Sequence, residues 1–266
     1  MATKFDTFVT NLKYITESNA KRNSPHSALL GLTNFADLSF MEFKETYMTM
    51  NSDNMDIVND DVDELTFSCC WAFSTVAAIE GIVAIKTKKL ISLSDQELLD
   101  CEPYGNCLRG NVNKAFIWVE GNKGIATQDR YPYTANKGVC RNSTIPNSAT
   151  SRIKSHHLVK RSENGLLCSV AKQPLNVGIY AETREFQHYT GGVFRGQECP
   201  LDSMDVTHSM VIVGYDSVDN DKYWIVKNSV GTKWGKNGYM FIKRETGKKY
   251  GVCAINAWAI EIVKNK

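Results

Sequence analysis

The chain has 266 residues, enough for one large or two modest domains with a substantial core. Its apolar share of 42% and charged share of 23% are ordinary for a globular protein, and its formal net charge of +2 gives no reason to expect a nucleic-acid or membrane-surface partner. It contains no run of about 18 apolar residues, so no membrane span is predicted, and no signal peptide is expected at its start because that stretch lacks an apolar core.

The cysteine content favours a disulfide-bonded protein. None of the eight cysteines stands in a CxxC pair, which disfavours a structural zinc site and predicts no metal. So many cysteines favour a secretory, vacuolar or extracellular compartment. The triplet Asn142-Ser143-Thr144 is a potential N-glycosylation site. The cysteines occupy positions 69, 70, 101, 107, 140, 168, 199 and 253.

The first 50 residues are predicted to be helical and charged. One apolar face is expected from the spacing of three and four that separates Phe5, Phe8, Leu12 and Ile15. Residues 51–66 are acidic and free of glycine, so they are predicted to form a solvated linker and a domain boundary.

Further along the chain, helical periodicity gives way to alternating β-rich runs. Helices are predicted over 70–88, from a capping box at Ser94 and Glu97, over 112–120 and over 163–172. Turn residues then separate five predicted strands. A helical half followed by a strand-rich half predicts an α+β protein with two lobes and a cleft between them. The predicted strands cover 175–181, 206–217, 222–229, 238–245 and 258–264.

Three residues could form a nucleophilic site. Cys70 stands where a loop becomes a helix, and a helix N-terminus favours thiolate over thiol. His208 directly precedes a predicted strand, where an imidazole can face the cleft and serve as base and acid. Asn228 ends the next strand and could orient that imidazole.

The local motifs around these residues resemble the papain-like cysteine peptidases over nearly the whole chain. The segments CWAFS, LSDQELLDC, HSMVIVGY, YWIVKNS and GTKWGKNGY follow one another in that family's order. The N-terminal part is similar to the tail of the family's inhibitory propeptide, with Thr33 where asparagine is usual. Its matching positions are Lys4, Phe8, Asn11, Ile15, Asn19, Gly31, Phe35 and Asp37.

This resemblance implies a propeptide over residues 1–50, a linker over 51–66 and a peptidase domain over 67–260. Within that domain it implies a helical lobe over 67–155 and a β-barrel lobe over 156–260. It further implies an endopeptidase precursor that needs no cofactor, acts on peptides or proteins as a monomer, and is inhibited by its own propeptide. The implied site residues are the nucleophile Cys70, the base and acid His208, the orienting Asn228, and the cleft residues Arg109, Gly110 and Trp234.

The resemblance also implies two disulfides, Cys101–Cys140 and Cys199–Cys253. Cys107 is expected to lack its usual partner, because Phe67 stands at that position. A Cys69–Cys107 bridge remains an alternative, although an offset of two residues can move a Cα by about 6 to 7 Å. Cys168 is expected to be a small core residue.

Four departures from the family pattern bear on activity. A stretch usual before Cys69 is missing, which leaves no evident maturation site and places Glu64 where the family has the oxyanion-hole glutamine. An ionised glutamate cannot donate to an oxyanion, and loss of one such donor costs about 100- to 1000-fold in turnover, although the Cys70 backbone N–H remains. Val230 replaces a tryptophan that covers the Asn–His hydrogen bond, and valine is expected to leave that bond more open to water. Arg109 adds a bulky charge to the cleft and is expected to change or obstruct the binding of extended peptides.

Because of these departures, other interpretations stay open. The chain could be a degenerate, plant-type member that binds peptides without cleaving them, or serves in storage or defence. It could instead be a propeptide-type inhibitor of a related protease. The missing stretch itself could be genuine or an artefact of gene assignment.

Overall fold

The computed structural model describes residues 3–48, 69–107, 110–201 and 203–264. The acidic linker over 51–66, including Glu64, and the cleft residue Arg109 lie outside these ranges.

The N-terminal segment, residues 3–48, contains two helices and a short strand: α1 (Lys4–Ala20), β1 (Leu29–Leu30) and α2 (Phe40–Tyr47). Both helices begin with a complete capping box, in which a side-chain oxygen accepts from the N3 backbone N–H and the N3 carboxylate accepts from the N-cap backbone N–H. The N-cap residues are Thr3 and Ser39.

The predicted apolar face of α1 is only partly correct. Ile15 is buried, but Phe5 and Leu12 remain 72% and 42% exposed. The docked face instead centres on Asn11, whose amide Nδ2 donates to the carbonyls of Ala36 at 3.0 Å and Leu38 at 2.8 Å. Polar anchoring therefore sets the rotation of this helix, which apolar spacing alone does not predict.

The first lobe is built around the helix α3 (Cys70–Thr87), which packs against α4 (Asp95–Cys101) and α5 (Val112–Gly121). By length and composition α3 could cross a membrane, but its buried residues, including Trp71 and Ile79, belong to the core of this lobe. We therefore interpret α3 as the central core helix.

The capping box predicted at the start of α4 is half present. The Ser94 hydroxyl accepts from the Glu97 backbone N–H at 2.9 Å. The Glu97 carboxylate turns away from the cap and accepts from the backbone N–H of Ala126 at 2.6 Å. A tertiary contact therefore replaces the second, local half of the motif.

The second lobe is a seven-stranded sheet, and the five predicted strands are confirmed as its centre. The sequence did not predict its short or polar outer strands, among them β2 with His156 and His157. The strands are β2 (Ser155–Leu158), β3 (Leu175–Ile179), β5 (Val193–Phe194), β6 (His208–Val218), β7 (Asp221–Lys227), β8 (Tyr239–Lys243) and β9 (Ala259–Val263), in the spatial order β2-β9-β3-β6-β7-β8-β5.

Neighbouring strands of this sheet are antiparallel except β5 and β8, which are parallel. Three further elements complete the lobe: the helices α6 (Glu163–Val170) and α7 (Arg184–Gln187), and the strand β4 (Tyr189–Gly191). β4 does not join the large sheet but pairs with β1, so the N-terminal segment is attached to this lobe through backbone hydrogen bonds as well as side chains.

Three disulfides link the described residues, and two of them are the pairs implied by resemblance, Cys101–Cys140 and Cys199–Cys253. The expectation that Cys107 lacks a partner is wrong, because it is bonded to Cys69, with Cα atoms 4.3 Å apart. The loop before Cys107 is held at the start of α3 because the indole of Trp71 donates to the Asn106 carbonyl at 2.8 Å. The prediction of a buried core thiol at position 168 is also wrong, since Cys168 is exposed.

Candidate active site

The nucleophile candidate begins the central helix of the first lobe. Cys70 is the first residue of α3, its thiol is not disulfide-bonded, and the residue is 2% exposed. The first turn of a helix has backbone N–H groups without intrahelical partners and a partial positive charge. Both features favour a thiolate at Cys70 and offer donors to an oxyanion beside it.

The imidazole candidate lies on the second lobe and is held from behind. His208 begins β6, Asn228 directly follows β7, and Nε2 of His208 lies 2.8 Å from Oδ1 of Asn228. The same Oδ1 accepts from the backbone N–H of Ser229 at 2.8 Å. Because a backbone N–H can only donate, this second contact fixes the amide orientation, so Nε2 of His208 must donate to Asn228. The remaining nitrogen, Nδ1, is the one left for the thiol.

The electrostatics of the pair match that arrangement. Burial by itself lowers the pKa of His208, but the charge of Cys70 and hydrogen bonds with Cys70 and Asn228 outweigh it, so the pKa is raised above 6.5. The charge of Cys70 raises this pKa more than either hydrogen bond does, as expected of an imidazole beside a thiolate.

Aromatic side chains cover the imidazole although Val230 replaces the usual tryptophan. The ring of Phe186 meets His208 edge-on with centroids 5.8 Å apart, and the indole of Trp234 lies 4.9 Å beyond Phe186. His208 is 1% and Asn228 8% exposed. The expectation that valine leaves this hydrogen bond open to water is therefore not what the structure shows, because Phe186 supplies the aromatic cover.

Two of the three predicted cleft residues, Gly110 and Trp234, lie within the described ranges. Neither forms an exposed wall of the cleft. Trp234 is fully buried and donates from Nε1 to the Phe186 carbonyl at 2.9 Å. Gly110 lies flat against the indole of Trp71, where an added Cβ would stand 2.3 Å from ring atoms. Glycine is therefore required at position 110 so that the backbone can approach the indole of Trp71, the residue next to Cys70.

The N-terminal segment runs along the second lobe toward the candidate site. The backbone N–H of Gly31 donates to the His188 carbonyl at 2.9 Å, and the hydroxyl of Thr33 donates to the Gln187 carbonyl at 3.0 Å. The amide of Asn34 then reaches the carbonyl of Val230 at 3.4 Å, two residues after Asn228. Thr33, the residue that departs from the family motif, thus makes a direct contact with the second lobe.

A second set of contacts docks α1 and α2 on the same lobe. The guanidinium of Arg184 stacks 3.8 Å from the ring centroid of Tyr14 and donates to Oδ1 of Asn11 at 3.3 Å. Lys44 of α2 forms an ion pair with Glu182 at 2.5 Å. Phe35 and Phe43 enter the core of the second lobe, which makes the docked surface both apolar and charged.

Several contributors to this site were not predicted from the sequence. Phe186 and Gln187 lie in α7, a helix of four residues that is too short for a periodic signal. The hydroxyl oxygens of Ser74 and Ser209 lie 2.7 Å apart. The only signal for these serines in the sequence was their position shortly after Cys70 and His208. Among the described ranges, no group of three or more His, Cys, Asp or Glu side chains could hold a metal ion.

Comparisons with known proteins agree with this geometry. The family described as "Papain family cysteine protease" matches residues 53–261, and the cathepsin propeptide inhibitor domain matches residues 1–43. Cysteine protease XCP2 of Arabidopsis thaliana is 40% identical, with 99% of this chain and 80% of that protein covered. Vignain of Vigna mungo is 37% identical, with 98% and 80% covered.

Solved structures of precursors are similar over essentially the whole chain. The proform of the Amb a 11 cysteine protease, a ragweed pollen allergen, has a TM-score of 0.84 at 28% identity, with 100% of this chain and 82% of that chain covered. Recombinant stem bromelain precursor has a TM-score of 0.86 at 30% identity, with 99% and 91% covered. The chain therefore belongs to the papain family of cysteine proteases and is a precursor that carries the family's propeptide inhibitor domain.

Proposed function

We propose that this precursor gives rise to an endopeptidase that hydrolyses peptide bonds through Cys70, His208 and Asn228. The thiolate of Cys70 attacks the carbonyl carbon of the peptide bond, and His208 protonates the leaving amine, which leaves an acyl-thioester on Cys70. His208 then takes a proton from water, whose attack on the thioester releases the acid and restores the thiolate. Asn228 keeps the imidazole in the orientation and tautomer that both steps need.

The main support for this proposal is that the side-chain oxygen of Asn228 accepts two hydrogen bonds. It accepts from Ser229 and from His208, each at 2.8 Å, and so leaves Nδ1 of the imidazole available to the thiol. In this arrangement a fixed acceptor holds one ring nitrogen, and the other nitrogen faces a buried cysteine. A histidine with only a structural role would not require both.

Active-site labelling tests the proposal directly. After the propeptide domain has been removed by limited proteolysis, an epoxide or halomethyl-ketone probe should alkylate Cys70 at neutral pH much faster than Cys168, an exposed thiol that serves as the reference in the same molecule. His208→Ala should abolish this preference. If Cys70 of the unaltered protein reacts no faster than Cys168, the chain is better described as a catalytically inactive, peptide-binding homologue.

The propeptide domain is proposed to inhibit by occupying the approach to the site. Its backbone pairs with β4, and Asn34 reaches Val230 beside the Asn228 turn. These contacts hold the segment across the second lobe, so substrate access should require its displacement or cleavage. Addition of residues 1–48 as a separate peptide to the active enzyme should restore inhibition, and no inhibition at micromolar concentration would contradict this role.

Turnover is proposed to be slow, because the sequence offers Glu64 in place of the glutamine that would donate to the oxyanion. Restoring the donor with Glu64→Gln should raise kcat by about 100-fold or more with little change in KM. An unchanged kcat would show that position 64 does not serve the oxyanion. Peptide mapping across residues 55–75 of the native protein would establish whether the stretch before Cys69 is missing there as well.

An oxidising compartment of the secretory pathway, such as a vacuole, is proposed from the three disulfides among the described residues. Asn142 lies exposed in a turn, which is compatible with glycan attachment. Loss of mass from the native protein on treatment with a glycosidase, absent in Asn142→Gln, would identify the modified residue.

A further inference from the structure

A buried polar contact joins the two lobes directly behind the Cys70 and His208 pair. The hydroxyl oxygens of Ser74 and Ser209 lie 2.7 Å apart, and the two residues are 4% and 2% exposed. Ser74 is one helical turn after Cys70 on α3, and Ser209 directly follows His208 on β6. Each serine is therefore attached by a short, rigid piece of backbone to one member of the pair.

The contact is satisfied whichever serine donates. Ser209 Oγ also lies 3.3 Å from Oδ1 of Asn176 and 3.5 Å from the Val177 carbonyl, while Ser74 Oγ lies 3.3 Å from the Trp71 carbonyl. Each hydroxyl group can thus donate to the other or to an acceptor of its own, and the two share three such further acceptors. Because each serine keeps an acceptor in its own lobe, removal of one hydroxyl does not leave the other buried and unpaired.

Packing within each lobe cannot by itself fix the separation of the thiol and the imidazole. α3 belongs to the core of the first lobe and β6 to that of the second, which are separate apolar clusters. A pocket of about 130 Å³, half open to solvent, adjoins the contact and is lined by Ser74, Ser209 and Asn228 among others. α3 also packs directly on β6 across the boundary between the lobes. The Ser74–Ser209 hydrogen bond adds a directional restraint to this packing, which is itself non-directional.

We propose that the Ser74–Ser209 hydrogen bond is a positioning bridge, which sets the distance between Cys70 on one lobe and His208 on the other. The proposal rests on the proposed function, because only a reacting pair needs such a fixed distance. Neither serine touches substrate in this scheme. Both act through the residues beside them, so their loss should change the pairing of thiolate and imidazolium rather than substrate binding.

The test compares Ser74→Ala and Ser209→Ala with Thr75→Val in the full chain. Thr75 is an equally buried hydroxyl on the same helix, but it bonds only to the Trp71 carbonyl of its own helix, at 2.7 Å. Alkylation of Cys70 by iodoacetamide is measured from about pH 4 to about pH 9 by mass spectrometry, with Cys168 as the internal reference. Urea unfolding confirms that each variant is folded.

Each serine variant should lose about fivefold of the Cys70 alkylation rate in weak acid, the factor that corresponds to one net hydrogen bond, and its acid limb should move to higher pH. The double variant should be no worse than either single variant, because both singles remove the same bond. Thr75→Val should keep the unaltered profile, since a structural role affects stability but not the acid limb.

Two results would overturn the proposal, and they are distinguishable. If unaltered Cys70 reacts rapidly in weak acid but the serine variants match Thr75→Val, the bridge is structural only and the proposed function stands. If Cys70 reacts no faster in the unaltered protein than in His208→Ala at every pH, the proposed function fails and the bridge has no activated pair to position. Should one serine variant fail to fold, the other still decides the question, because each removes the contact on its own.

Discussion

The buried histidine beneath the docked propeptide domain gives the sharpest prediction. His188 is fully buried, and neither ring nitrogen has a hydrogen-bond partner among the described residues. The ring of Tyr14 from α1 lies 6.1 Å away between centroids, and the Arg184 guanidinium stacks on that tyrosine. Burial first, and the positive charge of Arg184 second, lower the pKa of His188 from 6.5 to about 4.

The sign of the resulting pH dependence follows from proton uptake on unfolding. Between about pH 6.5 and about pH 4 the unfolded chain protonates this histidine, whereas the folded protein keeps it neutral. Stability from this group is therefore constant above the unfolded pKa and falls as the pH drops through that window. The difference between the pKa of His188 in the unfolded and in the folded state corresponds to about 3 kcal/mol of unfolding free energy, which is lost by about pH 4.

The substitution His188→Leu removes the titrating group and fills much the same volume. At neutral pH it should be neutral or stabilising, because two buried and unpartnered nitrogens disappear. Urea unfolding of both proteins from about pH 4 to about pH 7.5 gives the difference in unfolding free energy at each pH. That difference should shift by about 3 kcal/mol in favour of His188→Leu on acidification.

The difference in unfolding free energy between the unaltered protein and His188→Leu excludes the effects of other groups that titrate in both proteins. This matters because Glu185 is one such group. Burial raises the pKa of Glu185 to about 7, which stabilises the folded state in acid and acts against His188. His157→Leu, at an exposed position on β2, is the control for loss of a histidine elsewhere. A difference between unaltered protein and His188→Leu that stays flat across the pH range would refute the reasoning.

Three further predictions concern the site and the docked segment. Asn228→Ala should lower the rate of Cys70 alkylation in weak acid by about tenfold, since the imidazole loses its acceptor, and an unchanged pH profile would contradict the orienting role. Asn11→Ala should reduce the unfolding free energy of the precursor by about 2 kcal/mol, because the buried Ala36 carbonyl loses its donor, although the Leu38 carbonyl keeps a hydrogen bond from Gln187. Thr10→Ala on the exposed side of α1 should change it little. Gly110→Ala should cost about 1 to 3 kcal/mol in urea unfolding through overlap with the adjacent indole ring, and a neutral result would mean that this loop moves freely.

Much of the fold was predictable because its main elements have strong local patterns. The helix from Cys70 and the strands around His208 and Asn228 follow from apolar periodicity and from the turn residues between them. The sequence also identified Cys70 as the thiol of interest, since it begins the helix. Its neighbour Cys69 was harder to interpret, because the position of a disulfide partner depends on the path of a distant loop.

Other features depend on contacts between residues far apart in the chain. Apolar spacing predicts which residues of α1 are hydrophobic, but the carbonyls that bind Asn11 decide which face is docked. Likewise, periodicity suggests neither the burial of His188 nor its loss of hydrogen-bond partners, because both result from the packing of α1 on α7.

The sequence by itself determined the family, the order of the main helices and strands, and the three residues proposed to react, because each has a strong local motif. Only the tertiary structure decided the partner of Cys107, the aromatic cover of His208 by Phe186, and the contact of Ser74 with Ser209. The physical reason is that a hydrogen bond or a disulfide requires a spacing of a few ångströms between atoms of different elements. That spacing is set by the packing of both lobes together, which no short stretch of sequence specifies.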